Sequence, residues 1–288
     1  RSPARLPMRC RTSGRGSRWP GAASPGALTA RWKEASAIIL KTHGIVLGQT
    51  PYGSQDKILT LLTSDYGMLQ VIVKNPGGRK SRLAAACEVL AYSELCLLEG
   101  RVRYILQSAD LEENFFGLRE DLSALSLAGY LCELTRHLMP QKENGAEILQ
   151  LLLNTLYLLE KKKRSPAFLK AVYELKLMGL SGFQPDTDGC AGCGKDDGEM
   201  WLLPGEGIAL CKDCLPHFIE SAVRPPCRVP FPAAARQAFR FVSEAGGKKV
   251  FSFELDPQSE KVFGEAAEAF TLFQTGTKFP TLDFYKSL

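Results

Sequence analysis

Four of the nine cysteines lie in two C-x-x-C pairs within the stretch CAGCGKDDGEMWLLPGEGIALCKDC, residues 190–214. Cys190 and Cys193 form the first pair, Cys211 and Cys214 form the second, and 17 residues separate the two pairs. Each C-x-x-C turn presents two thiolates, and a loop of this length can fold back as a short hairpin. This is the spacing of a structural zinc site. We therefore predict that these four cysteines bind one structural Zn²⁺ ion.

Two other roles for the same cysteines fit the pattern less well. A redox C-x-x-C requires one pair at a strand-to-helix junction with a depressed thiol pKa, and it leaves the second pair without a role. A catalytic zinc ion keeps one coordination position for water, whereas four thiolates fill the shell. His217 is expected to be an exposed residue and not a competing ligand. Of the remaining cysteines, Cys10 lies in an N-terminal extension, and Cys87, Cys96, Cys132 and Cys227 are expected to be small buried hydrophobic residues.

A second group of candidate residues is basic. The segment VKNPGGRKSRL, residues 73–83, carries four cations on a glycine-rich loop, and residues 35–103 hold eight basic groups against five acidic ones. Positive charge on a small β-barrel, with tyrosines nearby for base stacking, is typical of single-strand binding. A solvated loop that its charges keep soluble is the alternative. The predicted DNA-binding residues are Lys41, Lys57, Lys74, Arg79, Lys80, Arg82, Arg101 and Arg103, and the nearby tyrosines are Tyr52, Tyr66 and Tyr92.

The sequence offers no catalytic constellation. The segment GGRKS is not a P-loop, because Lys74 and Arg79 occupy the positions where that motif requires glycine. The three histidines fall in three different parts of the chain, and neither G-x-S-x-G nor H-E-x-x-H occurs. We therefore expect a binding protein and not an enzyme.

The elements that must position these residues follow from hydrophobic periodicity. From Ala37 onward, five strand-like segments span about 75 residues, with a longer link between the third and the fourth. This count predicts a Greek-key barrel of the OB type, and an SH3-like barrel also fits the pattern. Near Asn114 the period changes to 3.6, and three helices with short loops predict an antiparallel bundle. Ser165 with Pro166 predicts one helix start, and Asp256 predicts another after the cysteines.

We therefore predict an α+β multidomain chain in which a five-stranded OB-type barrel precedes a helical bundle that carries a zinc-ribbon insert. The predicted divisions are a disordered basic extension (1–35), the DNA-binding barrel (36–112), the first part of the helical domain (113–184), the four-cysteine zinc insert (185–222), the second part of the helical domain (223–276) and a C-terminal tail (277–288).

Charge is unevenly distributed along the chain. The first 34 residues hold eight basic groups against Glu34 alone, whereas the remaining residues hold 28 basic and 30 acidic groups. The extension is rich in Arg, Ser, Gly and Pro without hydrophobic period, so we expect a solvated tail or translated upstream sequence; a transit peptide is the alternative. The longest apolar run, residues 148–159, is too short and too interrupted to span a bilayer. An odd number of cysteines without an export signal indicates a reducing compartment.

With these residues in view, the chain resembles the bacterial recombination mediator family RecO over residues 36–275. Several segments in a fixed order carry the resemblance: THGIVLGQTPYGSQDKILTLLTSDYGMLQVIVK, then GGRKSRL, then YLCELTRHLM in the first long helix, then FLKAVYELKLMGLSGFQP, which leads into the paired cysteines. Two features depart from the family pattern. Ser54 and Gln55 stand where an acid is expected before DKILTLLT, and NPGG lengthens the loop after the third strand.

The resemblance implies an OB barrel, a helical bundle and a zinc insert. It also implies ATP-independent binding of single- and double-stranded DNA, and annealing of complementary strands coated by single-strand binding protein. The implied partners are RecR, the C-terminal tail of single-strand binding protein and, indirectly, the recombinase RecA. The implied location is the cytoplasm, in association with the nucleoid and without a membrane. A zinc-ribbon RNA-binding or transcription-associated factor is the alternative class, and four thiolates on one metal argue against a zinc hydrolase.

Overall fold

The computed structural model describes residues 38–77, 83–100, 102–139, 145–222 and 226–288. The predicted disordered extension, residues 1–35, lies outside the described residues. Residues 38–288 form one compact unit by their contacts.

The N-terminal part of this unit is a closed five-stranded barrel with strand order β1-β2-β3-β5-β4. Its strands are β1 Ile39–Tyr52, β2 Asp56–Thr63, β3 Gly67–Val73, β4 Tyr92–Leu98 and β5 Tyr104–Glu113. The β3–β5 pair is parallel and the other neighbouring strands are antiparallel. This Greek-key closure confirms the predicted OB-type barrel.

Alternation of side chains along the strands builds the barrel core. Leu59 and Leu61 on β2 and Leu69, Val71 and Val73 on β3 are buried inside the barrel. The residues between them on β3 alternate outward, as expected for strands with one solvated face. Each of these buried aliphatic side chains contributes about 1.5–3 kcal/mol relative to an exposed one.

The barrel and the helices share a hydrophobic core. Ile45, Leu47 and Leu62 belong to the same buried cluster as the helices. The β1–β2 register shifts between Val46 and Gly48, so Leu47 is the extra residue of a β-bulge. Val46 faces the barrel core and Leu47 joins the helical core. The bulge re-aims the next residue, so that Gly48, opposite the outward Thr60, lies on the same outer side as Leu47.

The helical part follows the predicted caps. The helices are α1 Leu122–Leu138, α2 Ala146–Glu160, α3 Pro166–Leu180, α4 Cys214–Ser221, α5 Ala233–Glu244, α6 Pro257–Thr275 and α7 Pro280–Lys286. The Ser165 side chain accepts from the Phe168 amide at the start of α3. The Asp256 side chain accepts from the Gln258 and Ser259 amides at the start of α6. Both predicted helix starts are confirmed. No helix among the described residues has the length and apolarity needed to cross a membrane.

Helix α3 lies at the centre of the bundle and carries a buried ion network. Lys170 contacts Glu174 at 2.9 Å and Glu268 of α6 at 2.8 Å, and Lys286 of α7 contacts Glu268 at 2.6 Å. The Tyr130 hydroxyl of α1 donates to Glu174 at 2.6 Å. The network therefore ties four helices together through charges that lie mostly out of contact with water.

The C-terminal segment differs from the sequence prediction. Residues 277–288 were expected to be a tail, but they include helix α7, which packs against α1. Phe279 and Leu282 are buried there, and the Phe279 ring meets the Tyr130 ring edge-on at 5.8 Å between centroids. The prediction was wrong because seven residues give too little periodicity to indicate a helix, whereas burial of these two side chains stabilises it.

The cysteine-rich insert is built on a small sheet with strand order β6-β8-β7-β9. Its strands are β6 Asp186–Cys190, β7 Met200–Leu203, β8 Ile208–Cys211 and β9 Val229–Pro230. Strands β7 and β8 form the predicted hairpin. Strand β9, which follows α4 in the chain, pairs with the other edge of β7. The sheet therefore includes residues beyond 222, where the predicted insert ends.

Candidate functional site

The structure brings the four predicted metal ligands together. The sulfur atoms of Cys190, Cys193, Cys211 and Cys214 all lie within 4.8 Å of one another. Cys190 and Cys211 are buried, Cys214 is half-buried and Cys193 is exposed. The exposed His217 is not part of the cluster, as predicted.

Local backbone geometry positions each pair of thiols. Cys190 ends β6 and Cys193 follows in the next turn, while Cys211 ends β8 and Cys214 begins α4. Gly192 makes the approach possible, because a Cβ atom at this position would lie 2.9 Å from both Cβ and Sγ of Cys214. The Cys211 amide also donates to Cys190 Sγ at 3.3 Å. Parts of the chain that are distant in sequence thus meet at one point.

The geometry and the ionisation of the thiols suit a metal ion. A tetrahedral site with metal–sulfur bonds of about 2.3 Å has sulfur–sulfur edges of about 3.8 Å, and Cys193 Sγ lies 3.7 Å from Cys211 Sγ. Burial disfavours the Cys190 thiolate, but hydrogen bonds from nearby backbone amides outweigh burial and lower the pKa of Cys190 to about 6. Hydrogen bonds with the neighbouring cysteines raise the pKa of Cys214 to about 12. A metal ion binds the deprotonated thiolates, and its charge offsets the repulsion between them.

The cluster fits a structural metal and not a catalytic one. Four thiol ligands complete a tetrahedral shell and leave no position for a reacting water. The remaining cysteines behave differently. Burial raises the pKa of Cys87 to about 11 and that of Cys132 to about 12, so these thiols stay protonated. Cys96 and Cys227 were also expected to be buried, but Cys96 is only half-buried and Cys227 is exposed in the segment before β9.

Two arginines of α5 fasten the insert to the helical part. The Arg236 side chain is 3% exposed and donates to the Phe231 carbonyl at 2.9 Å and the Asp196 carbonyl at 3.0 Å. Arg240 donates to the Thr187 carbonyl and to the Asp196 carboxylate. Sequence reasoning missed these contacts because nothing in the spacing of the arginines and Asp196 links them. On α5, Arg236 and Arg240 are four residues apart and therefore share a face, which was the only available signal.

The outer face of strands β1, β2 and β3 forms a second candidate site, which we call the barrel face. Thr50 is opposite Ile58, and Ile58 is opposite Ile72. Both isoleucines are only half-buried. Tyr52, 46% exposed, lies two residues further along β1 on the same side. The face therefore presents aliphatic and aromatic surface to the solvent.

The cations predicted to bind DNA are distributed unevenly around this face. Alternation with Ile72 places the exposed Lys74 at its edge. Arg103 donates to Gln70, an outward residue of β3, at 3.1 Å. Lys57 follows the inward alternation of β2, so it lies at the end of the barrel, where it donates to Gln49 at 2.8 Å. Lys41 projects from β1 where that strand pairs with β4, away from β3. Arg79, Lys80, Arg82 and Arg101 lie outside the described residues.

The three tyrosines named from the sequence do not share one surface. Tyr52 belongs to the barrel face. Tyr92 is half-buried, stacks with His43 at 6.1 Å between ring centroids, and lines a cavity of about 560 Å³ between the barrel and the helices. Tyr66 packs against the barrel core. Only Tyr52 is therefore placed to stack with a base on the barrel face.

Comparison with known proteins agrees with this architecture. Residues 35–115 match the family model described as Recombination protein O N terminal, and residues 119–283 match the model described as Recombination protein O C terminal. This chain belongs to the RecO family. The second RecO match extends to residue 283, within α7, whereas the resemblance over residues 36–275 ended before this helix.

Individual RecO relatives cover most of the chain. The DNA repair protein RecO of Acetivibrio thermocellus is 28% identical over 251 residues, which are 86% of this chain and 97% of the relative. The DNA repair protein RecO of Alkaliphilus metalliredigens is 33% identical over 185 residues, 64% of this chain and 74% of the relative. That of Caldicellulosiruptor bescii is 36% identical over 177 residues, 61% of this chain and 72% of the relative.

Proposed function

We propose that this chain is a non-enzymatic DNA-binding recombination mediator in DNA repair. It binds single- and double-stranded DNA and anneals complementary strands coated by single-strand binding protein. With RecR it helps to load RecA in the repair of gaps and breaks. The observation that carries the proposal is the barrel face of a RecO-family chain. Along β3, Ile72 lies between Lys74 and Gln70, the residue that Arg103 contacts, and Ile58 and the exposed Tyr52 extend the same face across β2 and β1.

The composition of the barrel face suits an unpaired strand. Bases stack or pack on aromatic and aliphatic side chains without regard to sequence, while cations at the edges bind the phosphates. The same OB surface, formed by the second and third strands and their adjoining loops, binds oligonucleotides in other proteins. Of the predicted cations that the structure describes, Lys74 and Arg103 border the face and are the proposed phosphate ligands there. Lys41 and Lys57 turn away from the face, and Arg79, Lys80, Arg82 and Arg101 are proposed as phosphate ligands from the sequence alone.

Neutralisation of the phosphate charges by the protein promotes annealing. Two DNA strands repel each other through their phosphates, and a protein that neutralises both releases counterions and lowers that barrier. Because binding of this kind reads the phosphate backbone and not the bases, it tolerates any sequence. A mediator that acts at arbitrary gaps needs this property.

The metal centre supports the fold in this proposal. We assign one Zn²⁺ to the four cysteines, because complete thiolate ligation in a small sheet is the arrangement of structural zinc sites. The acidic insert surface, with five acidic residues against two lysines between residues 190 and 214, does not suit phosphate contacts. The C-terminal tail of single-strand binding protein is a further proposed partner, and the bacterial cytoplasm at the nucleoid is the proposed location.

A strand-annealing assay tests the proposal. Complementary oligonucleotides, each coated with single-strand binding protein, are mixed with the full chain, and duplex formation is followed. We expect annealing by the unaltered protein and its loss when Lys74, Arg79, Lys80 and Arg82 are all changed to Glu. The slope of binding affinity against salt should fall by up to about 3 on a double-logarithmic plot, since each phosphate contact to a single strand contributes about 0.7.

The control is Lys278→Glu, which reverses an exposed charge near α7 and should leave annealing unchanged. An unaltered protein that binds neither bare nor coated DNA at low salt would contradict the proposal. Stronger binding to structured RNA than to either DNA form would favour an RNA-binding factor instead.

A further inference from the structure

A guanidinium group from the helical part lies over the barrel. A Cβ atom at Gly48 of β1 would be 2.9 Å from Nη1 and 3.6 Å from Cζ of Arg136, which belongs to the last turn of α1. Gly48 thus leaves the space that the guanidinium occupies. The Arg136 side chain is exposed, so the group covers the strand from the solvent side.

Arg136 ends a polar row that crosses the barrel face. Gly48 is opposite Thr60 on β2, and Thr60 is opposite Gln70 on β3. Gln70 accepts from Arg103 at 3.1 Å. The row therefore has a guanidinium at each end, and its three strands are separated by two strand spacings, on the order of 10 Å. It runs beside the aliphatic row formed by Thr50, Ile58 and Ile72.

Within the part of the chain that the structure describes, the charge of Arg136 has no ionic or hydrogen-bonded partner. Among the described residues no carboxylate lies within ion-pair distance of Arg136, and no hydrogen bond holds its guanidinium. Its position in the last turn of α1 is favourable, but that effect is worth only about 0.3–1 kcal/mol and does not require the side chain to extend over a strand. Arg240, by contrast, donates hydrogen bonds to Asp196 and Thr187. The Arg136 donors remain available to a ligand.

We propose that Arg136 binds a phosphate of the DNA strand on the barrel face, opposite the phosphate bound by Arg103. The strand then lies across β1, β2 and β3, with its backbone along the polar row and its bases over Ile58, Ile72 and Tyr52. The helical part thereby closes one side of the barrel's DNA site. This inference rests on the proposed DNA-binding function, and it adds a ligand from outside the barrel.

The test measures binding of the full chain to oligothymidine at several salt concentrations. Arg136→Ala should weaken binding about three- to tenfold at low salt and reduce the salt slope by about 0.7, the contribution of one phosphate contact. The matched control is Arg228→Ala, which removes the same charge from an exposed position before β9. It should leave the slope unchanged. The thermal midpoints of both variants should equal that of the unaltered protein.

A second variant moves the guanidinium without changing the charge. Gly48→Ala places a methyl group 2.9 Å from Nη1, and the flexible end of Arg136 must shift away. We expect Gly48→Ala to weaken binding less than Arg136→Ala does, and Arg136→Lys to keep most of the slope. An unchanged slope in Arg136→Ala, while the unaltered protein binds with a steep slope, overturns this inference and leaves the proposed function standing. Absence of DNA binding by the unaltered protein contradicts the proposed function itself.

Discussion

Arg240 on α5 and Asp196 in the insert form a two-point ion pair, with Nη1–Oδ2 and Nη2–Oδ1 distances of 2.7 Å each. Arg240 also donates to the Thr187 carbonyl of β6 at 2.9 and 2.6 Å. One side chain therefore holds the loop between the two cysteine pairs and the strand that leads to the first pair. The four-cysteine cluster is fastened to the helical part by this contact as well as by the continuous chain.

Loss of this ion pair should loosen the insert. We expect Arg240→Ala to lower the free energy of unfolding by about 1 kcal/mol or more, because a two-point pair with planar geometry exceeds an ordinary surface pair. Urea unfolding, with hydrogen exchange of the β6 and β8 amides, measures the effect. Lys212→Ala is the control, since its 3.7 Å pair with Glu199 is exposed on both sides and should contribute almost nothing.

The same pair should make the insert sensitive to acid. The hydrogen bond from Arg240 is the main cause that holds the pKa of Asp196 below its usual range. A depressed carboxyl pKa stabilises the fold above the unfolded value, about 3.9, and this stabilisation is lost as the pH falls through the folded pKa. Between pH 5 and pH 2 the unaltered protein should therefore lose more stability than Arg240→Ala does. Parallel stability curves for the two proteins would contradict this prediction.

Removal of one ligand should release the metal and unfold the insert locally. In Cys190→Ser we expect metal content, measured by atomic absorption, to fall from one equivalent to near zero, because a hydroxyl is a poor ligand at this site. Hydrogen exchange should show lost protection in β6, β7 and β8 with the barrel strands unchanged. Cys227→Ser, an exposed cysteine outside the cluster, should keep the metal. Full metal content in Cys190→Ser would reject the assignment of this ligand.

Removal of Lys170 from the buried ion network of α3 should lower the stability of the fold strongly. Glu174 is fully buried, and Lys170→Met leaves its charge without a cationic partner. We expect a loss of about 3–5 kcal/mol in urea unfolding. The double variant Lys170→Met with Glu174→Leu should recover part of this loss, because the unpaired buried charge is then gone. Lys261→Met, at an exposed site on α6, should change stability by no more than about 0.5 kcal/mol. A similar small change in Lys170→Met would show that the network adds little to stability.

Stacking of a base on the exposed Tyr52 ring should contribute to the DNA-binding affinity, and this contribution can be measured separately from that of the phosphate contacts. We expect Tyr52→Ala to weaken binding to oligothymidine by about 1–3 kcal/mol while the salt slope stays the same, since no charge is lost. Tyr52→Phe should retain binding. Tyr157→Ala, which removes a similarly exposed ring from α2, is the control and should have no effect. A reduced salt slope in Tyr52→Ala would mean that the ring orders a nearby cation and does not stack with a base.

The sequence was sufficient where an element depends on its own residues. The alternating strands of the barrel, the caps at Ser165 and Asp256, and the spacing of the four cysteines are local patterns, and the structure contains each of them. Burial of Cys227 and a C-terminal tail were wrong predictions. In both cases, burial depends on whether the segment packs against another part of the fold. A short stretch of sequence does not indicate which surface it will contact.

In the candidate DNA site, too, some features follow from the sequence and others depend on the tertiary structure. From the sequence alone, a basic barrel with nearby tyrosines and a four-thiol metal site could be inferred, because charge, aromatic content and cysteine spacing are properties of the chain. Only the folded structure decided that Lys74 and Arg103 border one face, that Lys57 and Tyr92 turn away from it, and that Arg136 reaches it from α1. Strand register and helix docking determine these positions, and both arise from contacts between residues far apart in sequence.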